Sequence, residues 1–238
     1  MAESLVYCYA VTDAAHDLGD LRGLDDAPVL VRFLGGVHAA LSRHRDLVLG
    51  ASTDQLLRCA AVTDSAMEHG SAVPLRFGTL MEEDQLAALL AQRAEELRAD
   101  LHFVRGRVEV GLRVTSASTE DPATVGSPGR MPRGDPAPQP GDGREHMRRL
   151  QRRERESTSA SELAADRCHE RLAQHAPTHR LWRRPREGVL LTAAYLVERA
   201  QVDELAAVVD ELERHETTVR LALTGPWAPY SFVGGIDR

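Results

Sequence analysis

The segment that decides the fold runs over residues 72–114 and reads "AVPLRFGTLMEEDQLAALLAQRAEELRADLHFVRGRVEVGLRV". It opens with a short apolar run that ends at Gly78, which predicts a strand. The pattern Thr79-x-x-Glu82 then predicts the start of a helix with leucines at helical spacing, and residues 108–114 alternate as a strand does. Strand, helix and strand in this order favour a right-handed crossover with both strands in one sheet.

The motif "VPLRFGT" at residues 73–79 is open to two interpretations. In a strand, Leu75 and Phe77 would face the core while Arg76 points outward, and Pro74, which has no amide donor, favours a sheet edge. An exposed edge with one arginine could pair with a strand of another protein. Alternatively, Arg76 forms an internal salt bridge.

A second strand–helix–strand pattern occupies the C-terminal part of the chain. Residues 188–197 form an apolar run, residues 201–216 carry apolar side chains at helical spacing, and residues 217–225 read as a strand. A strand that is apolar throughout needs cover on both faces, so we expect helices to lie over the sheet.

The N-terminal part adds further elements. Alternation in "LVYCYAV" predicts a strand over residues 5–11, and two apolar runs around a pair of glycines predict a β-hairpin over residues 28–42. The pattern Ser52-x-x-Gln55 predicts the start of a helix that Gly70 ends. The fold class is therefore α+β.

Residues 116–143 are rich in proline and glycine and predict a disordered linker, because they cannot bury enough apolar surface to fold alone. The linker divides the chain into two domains, each a small sheet backed by helices. Residues 1–115 are expected to form an N-terminal α/β domain. Residues 144–238 are expected to form a C-terminal domain with a long charged helix and an aromatic tail. The polar residues 157–161 leave open whether this helix is continuous or broken there.

Charge excludes some classes of function. The formal net charge is −7 and the isoelectric point is about 5.8, which argues against a general nucleic-acid binder. The basic run at residues 148–156 has no aromatic residue for base stacking, so it reads as a solvated or salt-bridged helix face. Cys8, Cys59 and Cys168 are far apart and predict free thiols. With no signal peptide or long apolar run, we expect a cytoplasmic protein outside the membrane.

Catalytic and metal-binding patterns are weak. Cys168, His169, His175 and His179 have metal-like spacing, but Pro177 breaks the turn that would align the last two histidines. We expect no metal site and no cofactor. Neither a G-x-S-x-G elbow nor a phosphate-binding glycine-rich loop occurs, so the residues predict no enzyme.

The tail "LTGPWAPYSFVGG" at residues 223–235 concentrates aromatic residues in a chain with only 4 % of them. Trp227, Tyr230 and Phe232 offer large apolar area at low entropic cost, and Pro226 and Pro229 stiffen the segment. The tail either folds back onto its own domain or forms a patch that faces a partner. The two interpretations are compatible.

These motifs together resemble the gas vesicle protein F/L family. The resemblance rests on "VPLRFGT", on "GRVEVGLRV" at residues 106–114, on "LLTAAYLVER" at residues 190–199 and on "LTGPWAPYSFV" at residues 223–233. The opening "LVYCYAV" is also similar. The chain departs from the family pattern at Ala228, where a second proline is common, and in "REHMRRL", where a Tyr-Leu pair is usual.

The resemblance implies a ferredoxin-like C-terminal domain and no catalysis. It further implies the vesicle as location and, as partners, the small apolar shell protein and other accessory proteins, during early assembly or on the gas-facing side of the wall. Nucleic acid and lipid membrane are not expected partners. The candidate partner-binding residues are Arg76, Phe77, Pro226, Trp227, Tyr230 and Phe232. The alternative function is a small-molecule-binding regulatory domain or cryptic enzyme on a ferredoxin-like sheet.

Overall fold

The computed structural model describes residues 5–117, 142–183 and 188–234. In chain order the elements are β1 (Leu5–Thr12), β2 (Leu30–Leu34), β3 (Val37–His44), α1 (Thr53–His69), β4 (Ala72–Pro74), β5 (Leu80–Glu82), α2 (Glu83–Gln92), α3 (Ala94–Phe103), β6 (Arg107–Ser116), α4 (Asp142–His175), β7 (His179–Trp182), β8 (Val189–Glu198), α5 (Val202–His215) and β9 (Val219–Trp227). The predicted linker at residues 116–143 falls almost wholly outside the described residues.

The first sheet has the order β2-β3-β1, with β4 and β5 side by side along the other edge of β1. The predicted hairpin is confirmed as β2 and β3, joined by Gly35 and Gly36 at positive φ. The end of β1 near Thr12 pairs with β4, and its beginning near Leu5 pairs with β5. The chain between β4 and β5 leaves the ladder as a loop over residues 75–79.

Two predictions for this edge are wrong. The strand predicted through Leu75 and Phe77 is instead β4, which ends at Pro74. The helix predicted from Thr79 begins at Glu83, because residues 80–82 pair with β1 as β5. Pairing with a long buried strand has outweighed the local helix-start signal.

The helix predictions that depend on neighbouring residues agree better with the structure. Ser52 caps α1 and its hydroxyl accepts a hydrogen bond from the Gln55 amide at 3.3 Å, as predicted. The helix predicted after Glu82 is two helices, α2 and α3, because Arg93 between them has the non-helical angles φ −113° and ψ 11°. The predicted leucine stripe of these helices is buried: Leu86, Leu90, Leu97 and Leu101.

The second sheet has the order β7-β8-β6-β9. The elements β6, α4, β7, β8, α5 and β9 follow one another as β-α-β-β-α-β, which is the ferredoxin-like arrangement. This confirms the predicted α+β class. The expectation that β6 shares a sheet with the strand before α2 is wrong: β1 is flanked by β3 on one side and by β4 and β5 on the other, whereas β6 pairs with β8 and β9.

Helix α4 is continuous through residues 157–161, where a break was considered. Most of its buried residues are small, and among the described residues the full set is Ser161, Ala164, Ala165, Cys168, His169 and Leu172. Met147 and Leu163 of the same helix are exposed. Small side chains allow a helix backbone to pack close to a sheet.

Contacts divide the described chain into two compact units. The first unit contains residues 5–110, 194–202 and 224–234, and the second contains residues 111–117, 142–183, 188–193 and 203–223. The aromatic tail lies in the first unit, together with the loop at residues 75–79.

Candidate functional site

A cavity of about 250 Å³ lies in the first unit, where β1, α1, the loop after β4 and the tail meet. Aromatic and aliphatic side chains dominate its lining, and we call it the aromatic cavity. It is lined by Tyr7, Tyr9, Leu56, Cys59, Ala60, Thr63, Leu75, Phe77 and Tyr230.

Three rings from β1 and the loop form one wall of this cavity. The ring centroids of Tyr7 and Tyr9 are 4.8 Å apart, with an interplanar angle of 55°. The ring centroid of Phe77 is 6.2 Å from that of Tyr7, with an interplanar angle of 58°. Tilted pairs of this kind are favourable beyond the area they bury. Since Tyr7 and Tyr9 are fully buried in β1, they give the half-buried Phe77 a rigid support.

The loop at residues 75–79 is fastened to β1 at both ends. The Leu75 amide donates to the Tyr9 carbonyl at 2.8 Å, and the Cys8 amide donates to the Thr79 carbonyl at 3.0 Å. A register irregularity of β1 between Cys8 and Ala10 coincides with this loop. The loop is therefore an interruption of the sheet edge with fixed ends.

Hydrogen bonds also hold the inside of the loop. The Thr79 hydroxyl donates to the Arg76 carbonyl at 2.8 Å, and the Gly78 amide donates to the Tyr7 hydroxyl oxygen at 3.2 Å. Gly78 has φ +104°, a conformation that favours glycine. These constraints turn Phe77 toward the cavity and leave the Arg76 side chain exposed.

The polar atoms of the cavity are neutral near pH 7. The Cys59 thiol donates to the Tyr7 hydroxyl oxygen at 3.4 Å. Burial raises the pKa of Tyr7 and, more moderately, that of Cys59, although the bond with Tyr7 lowers the latter. With a protonated thiol and phenol, the arrangement is suited to enclosing an apolar side chain rather than to nucleophilic attack.

Tyr230 brings the tail to the same cavity. Its side chain is 47 % exposed, so the ring both lines the cavity and faces solvent. Burial is the main cause of the raised pKa of Tyr230, opposed by a hydrogen bond with the Thr63 side chain. Tyr230 therefore has an anchored hydroxyl and an accessible ring face.

The tail beyond Tyr230 is tied to the first unit by polar bonds. The Ser231 amide and hydroxyl each donate to a carboxylate oxygen of Glu109 at 2.7 Å. The Gly234 amide donates to Asp100 at 3.3 Å, and the Gly234 carbonyl accepts from the Arg93 guanidinium at 3.0 Å. Charge-assisted bonds of this kind fix a segment more firmly than neutral ones do.

The tail before Tyr230 begins at a tight backbone approach. Gly225 has φ +114°, and a Cβ atom there would lie 2.8 Å from the Glu109 carbonyl oxygen, so a larger residue does not fit. The Gly225-Pro226 peptide bond is cis. Trp227, at the end of β9, is 47 % exposed and does not line the aromatic cavity.

The remaining candidate is buried. Phe232 packs in a small cluster with Ala194 and Leu196 and supports the tail from within. Of the six candidate residues, the structure brings Phe77 and Tyr230 to one cavity. Arg76 precedes Phe77 in the loop, whereas Pro226, Trp227 and Phe232 lie elsewhere along the tail and do not line this cavity.

Sequence reasoning missed most of the cavity wall. Tyr7 and Tyr9 were assigned only to a strand, and Leu56, Cys59 and Thr63 only to a helix. A usable signal was present, because two of the few aromatic residues alternate in "LVYCYAV" and thus share one strand face. The contribution of α1 had no comparable signal.

Histidine, cysteine and acidic side chains elsewhere in the described residues are the remaining candidates for a metal site. Across the three described segments, no group of three or more histidine, cysteine or acidic side chains is placed to hold a metal ion. Cys168 is buried, and the rings of His169 and His179 meet edge to face at 4.9 Å. Within the described residues, no helix combines the length and the apolar character needed to cross a membrane.

Comparison with known proteins gives a consistent result. The family model described as "Gas vesicle synthesis protein GvpL/GvpF" matches residues 5–234. Gas vesicle protein L of Streptomyces sp. (strain CB03234) is 29 % identical over 270 residues, which cover 98 % of this chain and 94 % of that protein. Gas vesicle protein F of the same strain is 26 % identical over 234 residues, which cover 95 % and 98 %.

Two crystal structures share the fold. GvpF from Anabaena sp. PCC7120 superposes with a TM-score of 0.71 at 20 % identity and covers 96 % of this chain and 95 % of its own. GvpF from Microcystis aeruginosa gives 0.70 at 19 % identity, with coverage of 96 % and 98 %.

Proposed function

Because this chain belongs to the GvpL/GvpF family of gas vesicle synthesis proteins, we propose that it acts in gas vesicle formation as a non-enzymatic assembly factor for the shell protein. The family assignment confirms the resemblance stated from the motifs. Involvement in gas vesicle formation follows from the family. Binding of the small apolar shell subunit through the aromatic cavity is the proposed step.

The observation that carries the proposal is the meeting of Phe77 and Tyr230 at one cavity. They come from the two motifs "VPLRFGT" and "LTGPWAPYSFV", which lie far apart in the chain. At about 250 Å³ the cavity is smaller than the roughly 300–1,000 Å³ of typical small-molecule sites. Its size and neutral, mostly apolar lining suit one bulky side chain of a protein partner.

The surface around the cavity extends the apolar contact. Leu56 lines the cavity and is itself 45 % exposed, so apolar surface continues from the cavity to the outside of α1. A subunit that polymerises into a gas-filled wall exposes apolar surface before assembly, and such surface aggregates unless it is covered. The accessible aromatic surface of this protein would cover the apolar surface of the unassembled subunit. The same surface could hold the protein on the gas-facing side of the wall.

The alternative of small-molecule binding has one feature in its favour. A cleft of about 680 Å³ lies in the second unit and is lined in part by Glu162, Asp166 and Arg183. Asp166 and Arg183 form an ion pair at 2.5 Å, which leaves less of their charge for a ligand. We therefore rank this function second.

Co-expression with the shell protein of the same gene cluster tests the proposal. We expect a soluble complex in an affinity pull-down with the wild-type chain and its loss with Phe77→Ala combined with Tyr230→Ala. The matched control combines Phe103→Ala with Trp182→Ala, which removes two other partly exposed aromatic side chains. Trp227→Ala alone tests whether the contact extends along the tail.

Two results would contradict the proposal. One is the absence of any complex with a folded wild-type chain. The other is equal recovery of the shell protein by the cavity variant and the control variant. Circular dichroism and melting temperature of each variant separate lost binding from lost folding.

A further inference from the structure

A second cleft, of about 440 Å³, lies in the first unit at the turn between β2 and β3, next to α3. Val37 and Leu101 form a buried apolar floor. Phe33 lines the same cleft and is 65 % exposed, although it is a large aromatic residue on an edge strand. Its ring packs edge to face with the His38 ring, and the two ring centroids are 5.2 Å apart. The cleft thus offers an accessible aromatic surface beside an apolar floor.

The rim of this cleft is basic. Arg98, His102 and Arg105 all line it. Arg98 and His102 are four residues apart and lie on one side of α3, and Arg105 follows in the turn after this helix. The Arg98 guanidinium donates to the Gly36 carbonyl at 2.8 Å, so its charge is held in position. Within the described residues, the exposed side chains of His102 and Arg105 have no hydrogen-bond or ion-pair partner.

Among the described residues the lining contains one acid, Asp13, and it does not neutralise this rim. Asp13 accepts a hydrogen bond from the Ser71 amide at 3.2 Å and lies 3.2 Å from the His16 ring nitrogen. Glu95, one turn before Arg98 on α3, does not line the cleft. The cleft therefore has an excess of positive charge on a chain whose net charge is −7.

We propose that this cleft binds an acidic peptide segment of a partner protein, with one apolar residue against Phe33 and carboxylates facing Arg98 and Arg105. Arginine suits carboxylates because its planar fork can form two parallel hydrogen bonds. A simple anion has no apolar group to bury against the floor of Val37 and Leu101, whereas a peptide side chain does. The inference is independent of shell-protein binding at the aromatic cavity, since no residue that the structure describes lines both.

Nucleic acid fits the cleft less well than an acidic peptide. Binding of a phosphate backbone needs several cations along a stripe, and single strands need successive aromatic rings for stacking. The part of the lining that the structure describes contains two arginines and one aromatic residue besides its histidines. A short anionic segment with an apolar anchor matches this set.

Fluorescence anisotropy with the full chain tests the proposal. The probe is a fluorescein-labelled peptide in which glutamates flank a single leucine. Comparison peptides replace every glutamate by glutamine, or the leucine by serine. We expect the glutamate–leucine peptide to bind, binding to weaken as salt is raised, and each comparison peptide to bind at least about tenfold more weakly.

Variants assign the binding to the cleft. Arg105→Glu should weaken binding at least about tenfold, because it turns attraction into repulsion at the rim. Arg113→Glu makes the same change of charge at an exposed arginine of the second unit and should leave binding unchanged. Phe33→Ala should weaken binding of the leucine peptide but not of the serine peptide. Arg105→Gln serves in place of Arg105→Glu if the latter fails to fold.

Several results would overturn the proposal. They are the absence of binding by the glutamate–leucine peptide, equal binding of the glutamine peptide, and equal weakening by Arg113→Glu and Arg105→Glu. Tighter binding of a single-stranded oligothymidylate than of the peptide would assign the cleft to nucleic acid instead.

Discussion

The amide of Gly78 donates a hydrogen bond to the hydroxyl oxygen of Tyr7 at 3.2 Å, across 71 positions of sequence. The first strand of the chain thereby holds the turn of the loop that carries Phe77. The same hydroxyl accepts from the Cys59 thiol at 3.4 Å, so one oxygen links β1, the loop and α1. The shape of the aromatic cavity depends on this atom.

Tyr7→Phe should therefore lower the free energy of unfolding by about 1–3 kcal/mol, because it leaves the Gly78 amide and the Cys59 thiol without their acceptor. Urea unfolding followed by circular dichroism measures the change. Tyr230→Phe, on a ring that is 47 % exposed, should cost less. Equal losses for the two variants would show that the Tyr7 hydroxyl has no special role.

Gly225→Ala should destabilise the protein more than Gly78→Ala. Both glycines have positive φ, at +114° and +104°, so both alanine variants are strained. At Gly225 the new Cβ would also lie 2.8 Å from the Glu109 carbonyl oxygen, whereas nothing lies within 4 Å of a Cβ at Gly78. Thermal unfolding of both variants gives the comparison, and a lower melting temperature for Gly78→Ala would contradict it.

Glu109→Gln should loosen the tail. The amide group that replaces the carboxylate cannot accept both Ser231 bonds, and bonds to a charged acceptor contribute about 1.5–3 kcal/mol. We expect hydrogen exchange of the Ser231 amide to accelerate at least about tenfold. Glu211→Gln, at an exposed position on α5, is the control. Unchanged exchange in Glu109→Gln would mean that Phe232 and the Gly234 bonds suffice to hold the tail.

Asp64→Asn should raise the free energy of unfolding at neutral pH. Burial and the nearby Glu68 raise the pKa of Asp64 above its ordinary value of 3.8, and Arg199 only partly opposes them. A raised pKa means that the folded protein holds the proton more tightly than the unfolded chain. The contribution of Asp64 to stability therefore falls as the pH rises through 3.8 and the higher folded pKa.

The advantage of Asp64→Asn should accordingly be present at pH 7, shrink as the pH falls through the raised folded pKa toward 3.8, and be lost below 3.8. Urea unfolding at several pH values measures it. Asp210→Asn, at an exposed position, is the control for the change of charge. A variant that is less stable than the wild type at pH 7 would show that the attraction to Arg199 outweighs burial.

The parts of the fold that sequence predicted correctly are those decided by neighbours in the chain. A glycine pair is enough for the hairpin turn, and Ser52 needs only Gln55 three residues later to cap α1. Thr79 misled the prediction because its hydroxyl bonds the Arg76 carbonyl and its own carbonyl accepts from Cys8 in β1. Only the second of these partners is far away in sequence, and it decided the outcome.

The choice of partner strand and the composition of the cavity could not be predicted, because both also depend on residues that are far apart in sequence. Alternation in β6 indicates a strand but carries no information on which sheet it joins. Phe77 and Tyr230 were identified through their motifs, whereas Cys59 reaches the cavity through a contact across 52 positions. Such contacts depend on the packing of α1 against β1, which no local pattern records.

The split edge of the first sheet bears on how quickly a bound partner can leave. β4 and β5 offer three residues each, compared with about 5–6 in an ordinary strand, and the fastened loop separates them. A partner at this edge therefore cannot form a long backbone ladder and must be held mainly through side chains. With few backbone hydrogen bonds to break on release, a partner held at this edge should have a short residence time, since differences in affinity arise mostly from dissociation rates. Rapid turnover of this kind would suit the assembly role proposed above, in which shell subunits are passed on to a growing wall.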